Sequence, residues 1–180
     1  QSIGEDQMGR VIIAGVGMTP FRKPGQSDSY DVMAANATRA ALADAGIGYE
    51  DVQQAFAGYV YGDSCSGQAA LYHVGISGIP IYNVNNNCSS GSSAFALAVQ
   101  AVRSGTAECA LAVGFEEMER GAIGLIFPAK TNPLARHHKA LQVRHGLSEE
   151  EMKLPPALSM FGCQVEALEA LGVTQETLAR

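Results

Sequence analysis

Ile79-Pro-Ile-Tyr-Asn-Val-Asn-Asn-Asn-Cys88-Ser-Ser-Gly-Ser-Ser-Ala-Phe-Ala-Leu-Ala-Val-Gln-Ala-Val-Arg103 is the stretch on which the fold turns. Its first part, Pro80–Asn85, has the length and apolar content of a strand. Three consecutive Asn end that strand, a Cys follows, and Ser and Gly fill the next few positions. A helix is predicted over Ser89–Arg103, closing near Gly105. That helix carries Ala94, Phe95, Ala96, Leu97, Ala98, Val99, Ala101 and Val102 on almost every side, so it is expected to be buried all round. A strand feeding such a helix through a short turn is part of a βαβ unit.

The flanking segments extend the pattern. Arg10–Ala14 reads as a strand buried on both faces and stopped by Gly15 and Gly17. Thr19–Asp28 reads as a loop. Ser29 is the predicted N-cap of a helix running to about Ala45, with Asp31 in its first turn and Gly46 at its end. Val52–Tyr61 is a predicted strand, Gln68–Val74 a short helix closed by Gly75, and Cys109–Phe115 another strand. Strands alternating with helices imply an α/β fold with a mostly parallel sheet and right-handed crossovers.

The character changes after Met118. Glu119–Pro156 holds three of the four His and four of the seven Pro. Helical pieces are expected at Leu134–His145 and Glu149–Met152, as an excursion that leaves the sheet and covers one end of it. An amphipathic helix follows at Gln164–Leu171, with Val165, Leu168 and Leu171 on one side. Gly172 stops it, and Thr174 is the N-cap of a further helix. Two regions result: 1–118, and an incomplete 119–180.

Composition narrows the function. The 180 residues are 47% hydrophobic and 17% charged, with 20 Gly, 27 Ala and no Trp, so the core is built from small side chains. That apolar content excludes intrinsic disorder. Twelve Lys and Arg against eighteen Asp and Glu leave a net charge of −6, which argues against general nucleic-acid binding. No apolar run reaches the roughly 18 residues of a membrane span. Cys65, Cys88, Cys109 and Cys163 show no CxxC spacing, which argues against a metal site or a disulfide scaffold and for a reducing, cytoplasm-like compartment. The chain opens on Gln1, so its start reads as processed or trimmed. Gly15-Val-Gly17 lacks the third Gly of a dinucleotide loop, and Pro20 stands where that Gly would fall.

Cys88 is the residue with chemistry to offer. The amino end of a helix carries about half a positive charge and unpaired N–H groups. Such a setting lowers a thiol pKa from ~8.5 toward ~3.5–7.5 and favours the thiolate, which attacks carbonyl and thioester carbons. Ser89, Ser90 and Gly91 leave room for a substrate, and backbone N–H groups there could hold an oxyanion. The other reading is a small buried hydrophobe, the usual fate of a free Cys. Position alone leaves both open. Cys65 and Cys163 lack the setting, Cys109 opens a strand and reads as core, and His73 reads as packed with Leu71 and Val74.

The run Asn83–Ala94 resembles the nucleophile segment of thiolases, above all the sterol-carrier-protein-x type of 3-ketoacyl-CoA thiolase. Val16-Gly-Met-Thr-Pro-Phe21, Gly58-Tyr-Val-Tyr-Gly-Asp63, Gly78-Ile-Pro-Ile81 and Val113-Gly-Phe-Glu-Glu-Met118 agree in order and spacing. The resemblance runs from about Arg10 to the C-terminus. It implies a thiolase-like layered fold, of which this chain holds the N-terminal half and most of the loop domain. It implies that Cys88 takes an acyl group from a 3-ketoacyl-CoA while acetyl- or propionyl-CoA leaves, and that its own N–H helps form an oxyanion hole. Coenzyme A would be a substrate, with no permanently bound cofactor and no metal.

The family's activating His and second Cys belong to the half beyond residue 180, and none of the four His here lies in the family's His motif. The chain is then a fragment, or a second chain supplies the rest, and alone it is not expected to complete a cycle. The resemblance sets the excursion over the CoA site, where Arg136 and Lys139, among Lys130, Arg144 and Lys153, are the phosphate candidates; a solvated surface is the alternative. Met160 falls where thiolases have a Met-Gly substrate contact, although Phe161 intervenes before Gly162, and a core role is the alternative. A homodimer through Ile79–Asn85 is expected, in the cytoplasm, or in peroxisomes of a eukaryote. The competing functions are a thiolase-like aldolase or ketosynthase, and a non-catalytic half that needs a partner chain.

Overall fold

The computed structural model describes residues 10–119, 129–154 and 156–180. The chain divides into two compact units, Gln1–Arg120 and Gly121–Arg180. The first holds α1 (Tyr30–Ala45), β1 (Gln54–Gly58), α2 (Ser66–Tyr72), β2 (Ile81–Val84), α3 (Ser90–Arg103) and β3 (Ala110–Gly114). The second holds α4 (Ala135–His145), α5 (Pro156–Ala170) and α6 (Gln175–Ala179).

The strands form one parallel sheet in the order β2-β1-β3. Phe56 of β1 sits level with Tyr82 of β2 and Ala112 of β3. Because successive strand residues face opposite sides, β1 serves two cores at once. Ala55 and Ala57 pack with Ala34 of α1, Ala70 and Leu71 of α2, and Val113. Phe56 packs on the other face with Ala94, Ala98 and Ala101 of α3 and with Ala107. The result is a helix–sheet–helix sandwich whose interior is mostly alanine, so the layers approach closely.

The predicted helix ends hold well. α1 follows Ser29 and stops at Gly46 with φ 69°. α6 begins after Thr174, whose Oγ1 accepts from the Thr177 N–H at 3.2 Å.

Three expectations are corrected. Among the described residues Arg10–Ala14 forms no strand, and Ile12 and Ile13 are 73% and 68% exposed. The segment leans on α1 instead. A Cβ on Gly15 would lie 2.4 Å from the Ala41 carbonyl, and one on Gly17 2.2 Å from that of Ala37, so backbone meets backbone there. The Val16 N–H donates to Asp44 Oδ2 at 2.9 Å. An apolar run of this length shows only that the segment is apolar, and not which element receives it.

Helix α3 is not buried all round. Its buried stripe is Ser90, Ala94, Ala98 and Ala101, while Phe95 and Leu97 are exposed. Only the small side chains fit against the sheet, so the large ones point away from it.

The helix expected at Gln164–Leu171 begins at Pro156 and ends at Ala170. Val165 and Leu168 are half-buried, but Leu171 lies beyond the helix and is exposed. Among the described residues no helix is long and apolar enough to cross a membrane.

Candidate functional site

The loops that follow β1, β2 and β3 gather at the carboxyl end of the parallel sheet, where open α/β sheets place their sites. Gly58, the last residue of β1, makes the assembly possible. A Cβ there would stand 2.6 Å from the Ser90 carbonyl oxygen. Hydrogen at that position lets the first turn of α3 settle directly on the strand end.

The Asn-rich turn then sets the geometry around Cys88. The Asn87 N–H donates to Asn85 Oδ1 at 3.1 Å. The Ser90 hydroxyl accepts from the Asn86 N–H at 2.9 Å and donates to the Asn87 carbonyl at 2.7 Å. Asn86 Nδ2 donates to Ser93 Oγ at 2.9 Å. The turn is thereby tied to the buried face of α3. Cys88 stands exposed just before that helix, its Sγ 3.9 Å from Asn87 Oδ1. In this chain Cys88 is thus not packed as a small buried hydrophobe. The N–H groups of Ser89 and Ser90 are bonded back to the carbonyls of Asn86 and Asn87, both at 3.0 Å, and Ser89 caps the helix without a side-chain bond.

The turn after β1 is held from the other side. Both Glu116 oxygens are used, accepting from the N–H of Val60 and of Tyr61, each at 2.9 Å. The Tyr59 hydroxyl and the Ser66 hydroxyl donate to the Asp63 carbonyl at 2.9 and 2.8 Å. Burial pushes the Tyr61 phenol above its ordinary pKa, with the Glu116 carboxylate and Cys88 adding to the rise. Tyr61 thus lies within electrostatic reach of both. Among the described residues, Cys65 (φ 66°) and Asn87 (φ 50°) are the non-glycine residues with positive φ, one in each of these two loops. Backbone strain of that kind collects at functional sites.

Behind the loops, Asn83 and Gln68 lock β2 to α2. Asn83 Oδ1 accepts from the Gly67 N–H at 2.8 Å, its Nδ2 donates to Gln68 Oε1 at 2.7 Å, and Gln68 Nε2 donates to the Ile81 carbonyl at 3.0 Å. The Tyr30, Phe115 and Tyr59 rings stack in series, with centroids 5.3 and 5.0 Å apart.

Other sequence candidates fall elsewhere. His73 is not packed in the core: its Nε2 lies 2.8 Å from Asp31 Oδ2, and its side chain is half exposed. Cys109 is half-buried, and its thiol is pushed up by burial and then by Asp51.

In the second unit, Arg136, Lys139, Ala140, Val143 and Arg144 line an open depression along α4. Lys153 pairs with Glu150 at 3.6 Å. His145 Nδ1 is 3.0 Å from Glu166 Oε2, while His138 Nε2 is buried with no hydrogen-bond partner among the described residues. Met160 is half-buried, and Ser159–Gly162 lies within α5. Among the described residues no three His, Cys, Asp or Glu come together to hold a metal ion. Sequence reasoning missed Glu116 and Tyr61 as parts of the site, although both lie in stretches that carry the family resemblance.

Comparison with known proteins gives the following. The sequence profile described as "Thiolase, N-terminal domain" matches residues 11–154. "Sterol carrier protein 2" of Oryctolagus cuniculus is 50% identical over 175 residues, covering 95% of this chain and 31% of that protein. "Sterol carrier protein 2" of Homo sapiens is 47% identical over 175 residues, with the same coverage of 95% and 31%. "Benzoylsuccinyl-CoA thiolase subunit BbsB" of Thauera aromatica is 37% identical over 109 residues, 59% of this chain and 28% of that one. The chain thus spans about a third of the length of the curated sterol carrier relatives. Among solved structures, "Ltp2-ChsH2(DUF35) aldolase" is similar with a TM-score of 0.49 and 25% identity, over 76% of this chain and 38% of that one.

Proposed function

The chain belongs to the thiolase family, and from that premise we propose that it carries the acyl-bearing half of a thiolase-type acyltransferase acting on 3-ketoacyl-CoA. The observation that supports this reading most is an exposed thiol, Cys88, at the amino end of α3 and the carboxyl end of a parallel sheet.

In that reaction the Cys88 thiolate bonds to the keto carbon, C3 of the substrate. The C2–C3 bond breaks, and its electron pair stays on C2, which takes a proton and departs as acetyl- or propionyl-CoA. The thiolate of a second coenzyme A then bonds to the acyl carbon, and Cys88 leaves as thiolate. The resemblance assigns the groups that move these protons, a His and a second Cys, to the other half of the protein. Site geometry supports Cys88 in the carrying role: the strained Asn87 and the doubly bonded Ser90 fix where its sulfur stands.

Arg136 and Lys139 of α4 are the proposed contacts for coenzyme A phosphates, since one helix face offers both cations beside apolar Ala140 and Val143. Met160 is a proposed wall of the acyl pocket. A homodimer through Ile79–Asn85 suits β2, an edge strand among the described residues. Free thiols suit a reducing compartment, cytoplasmic or peroxisomal.

A second reading, lipid carriage without covalent chemistry, follows from the name "Sterol carrier protein 2" of the relatives. One experiment separates the two. The intact protein is mixed with a 3-ketoacyl-CoA, quenched in acid and digested, and the acyl mass is sought by peptide mass spectrometry. An acyl mass is expected on the Cys88 peptide, with turnover reduced roughly 10⁴-fold or more in Cys88→Ala. An adduct elsewhere, or bound lipid without an adduct, removes the acyltransferase reading.

A further inference from the structure

We propose that Glu116 is a positioning residue for Cys88, clamping the Val60–Tyr61 turn where it leaves the strand end on which the first turn of α3 rests. The inference rests on the reading of Cys88 as acyl carrier and names what holds the approach to it.

A backbone turn beside a reactive sulfur has two ordinary ways to stay in place: hydrogen bonds to a neighbouring strand, or burial of its own side chains. Val60 and Tyr61 lie beyond the last register pair of β1 with β3, Gly58 with Gly114, so the ladder no longer holds them. Glu116 lies two residues past that same pair on the β3 side. Its two oxygens reach across and accept both N–H groups at 2.9 Å. Bonds from N–H to a carboxylate are roughly twice as strong as neutral ones, and two on one planar group set direction as well as distance.

The adjacent carboxylate does different work. Glu117 Oε2 accepts from the Tyr30 N–H at 2.9 Å and so braces the start of α1. Two neighbouring acids therefore hold two separate backbones, and the one held by Glu116 continues from Gly58, the strand end that meets Ser90. The shared electrostatic reach of Tyr61, Glu116 and Cys88 agrees with that placement. Glu116 touches no reacting atom in this scheme. It keeps the turn from swinging away from the sulfur.

The test measures alkylation of each cysteine by iodoacetamide in the intact protein, by peptide mass spectrometry, in parent, Glu116→Gln and Glu117→Gln. Glu116→Gln keeps one acceptor oxygen and loses the charge. It should raise the alkylation rate at Cys88 about tenfold, since one lost charge-assisted bond is worth about that factor in the opening of the turn. Acyl capture at Cys88 should fall in the same variant. Cys109, half-buried at the other end of the sheet, should keep its rate, which shows that the sheet has not loosened. Hydrogen exchange at the Val60 and Tyr61 amides should quicken in step. Glu117→Gln should leave Cys88 at the parental rate. Should Glu116→Gln not fold, Glu116→Asp withdraws the carboxylate by one methylene and is read by the same criterion.

An unchanged Cys88 rate in the folded variant, or equal rises at Cys88 and Cys109, overturns the proposal. Because alkylation needs no acyl-CoA, this result is independent of the adduct experiment. The clamp can fail while Cys88 still carries acyl groups, and the clamp can hold where Cys88 carries none.

Discussion

The carboxyl end of the sheet and the basic face of α4 solve different problems by different means. Around Cys88, loops from three strands and the first turn of α3 are tied together by bonds that span 55 residues of sequence in the case of Glu116 with Tyr61. Along α4, Arg136, Lys139 and Val143 share a face because a helix places i, i+3 and i+7 together, and nothing more is needed. A reacting atom must be held in place by many parts. A charged face of the kind proposed for coenzyme A phosphates needs only the spacing of one helix. Substitutions should therefore act sharply in the first region and softly in the second.

The largest contrast comes from one kind of change made in both places. Gly58→Ala puts a Cβ 2.6 Å from the Ser90 carbonyl, where two backbones already touch. It should destabilise the first unit by about 1–3 kcal/mol, as overpacking does, and slow acylation of Cys88 because α3 must back away. Among the described residues a methyl group on Gly162, in the middle of α5, would meet nothing within 4 Å. Gly162→Ala should stabilise that helix by about 0.5–1 kcal/mol, the helix preference of Ala over Gly. Thermal or urea unfolding followed by circular dichroism measures both. Two shifts of the same sign would erase the distinction between the regions.

The next contrast is kinetic. If α4 meets coenzyme A phosphates, the double variant Arg136→Ala, Lys139→Ala should raise KM for coenzyme A about tenfold, with kcat little changed, the signature of uniform binding. The effect should shrink as salt is raised from low to physiological strength, because exposed charges are screened over about 8–10 Å. A change in kcat with no change in KM would move these residues out of the binding role.

Legibility in the sequence divides along the same line. The alternation of elements, the helix ends at Gly46 and Thr174 and the turn before Cys88 could all be read, because each is decided within a few residues. The fate of Arg10–Ala14 could not, since an apolar run does not say which element receives it, and here the glycines that follow it meet α1. The exposure of Phe95 and Leu97 could not either: an all-apolar helix does not say which of its faces meets the sheet. At the candidate site, Cys88 was legible as a candidate, with the buried alternative left open by position alone. Glu116 was not, for its work is done on N–H groups 55 and 56 residues away, and no local pattern marks an acid that accepts from a distant backbone.

The smallest expected effect sharpens the contrast at its soft end, within the first unit but away from the site. Asp31 joins α1 to the end of α2 through His73 Nε2, at 2.8 Å. Its carboxyl is held below the ordinary 3.8, chiefly by the Ser29 hydroxyl, with His73 and the Val32 N–H helping against the opposing pull of burial. A carboxyl whose pKa is lower folded than unfolded favours the folded state when ionised. That contribution is complete above the ordinary carboxylate value and is lost as the pH falls through the lowered one. Asp31→Asn should therefore cost about 0.3–1 kcal/mol at neutral pH, the range of an exposed pair near a helix start. Urea midpoints of parent and variant should converge as the pH falls below the ordinary carboxylate value of about 4 and on through the lowered one. A gap that stays constant from pH 7 to pH 3 would mean that Asp31 acts by packing alone. A gap several times larger would place this staple with the Cys88 loops among the sharply specified parts of the molecule.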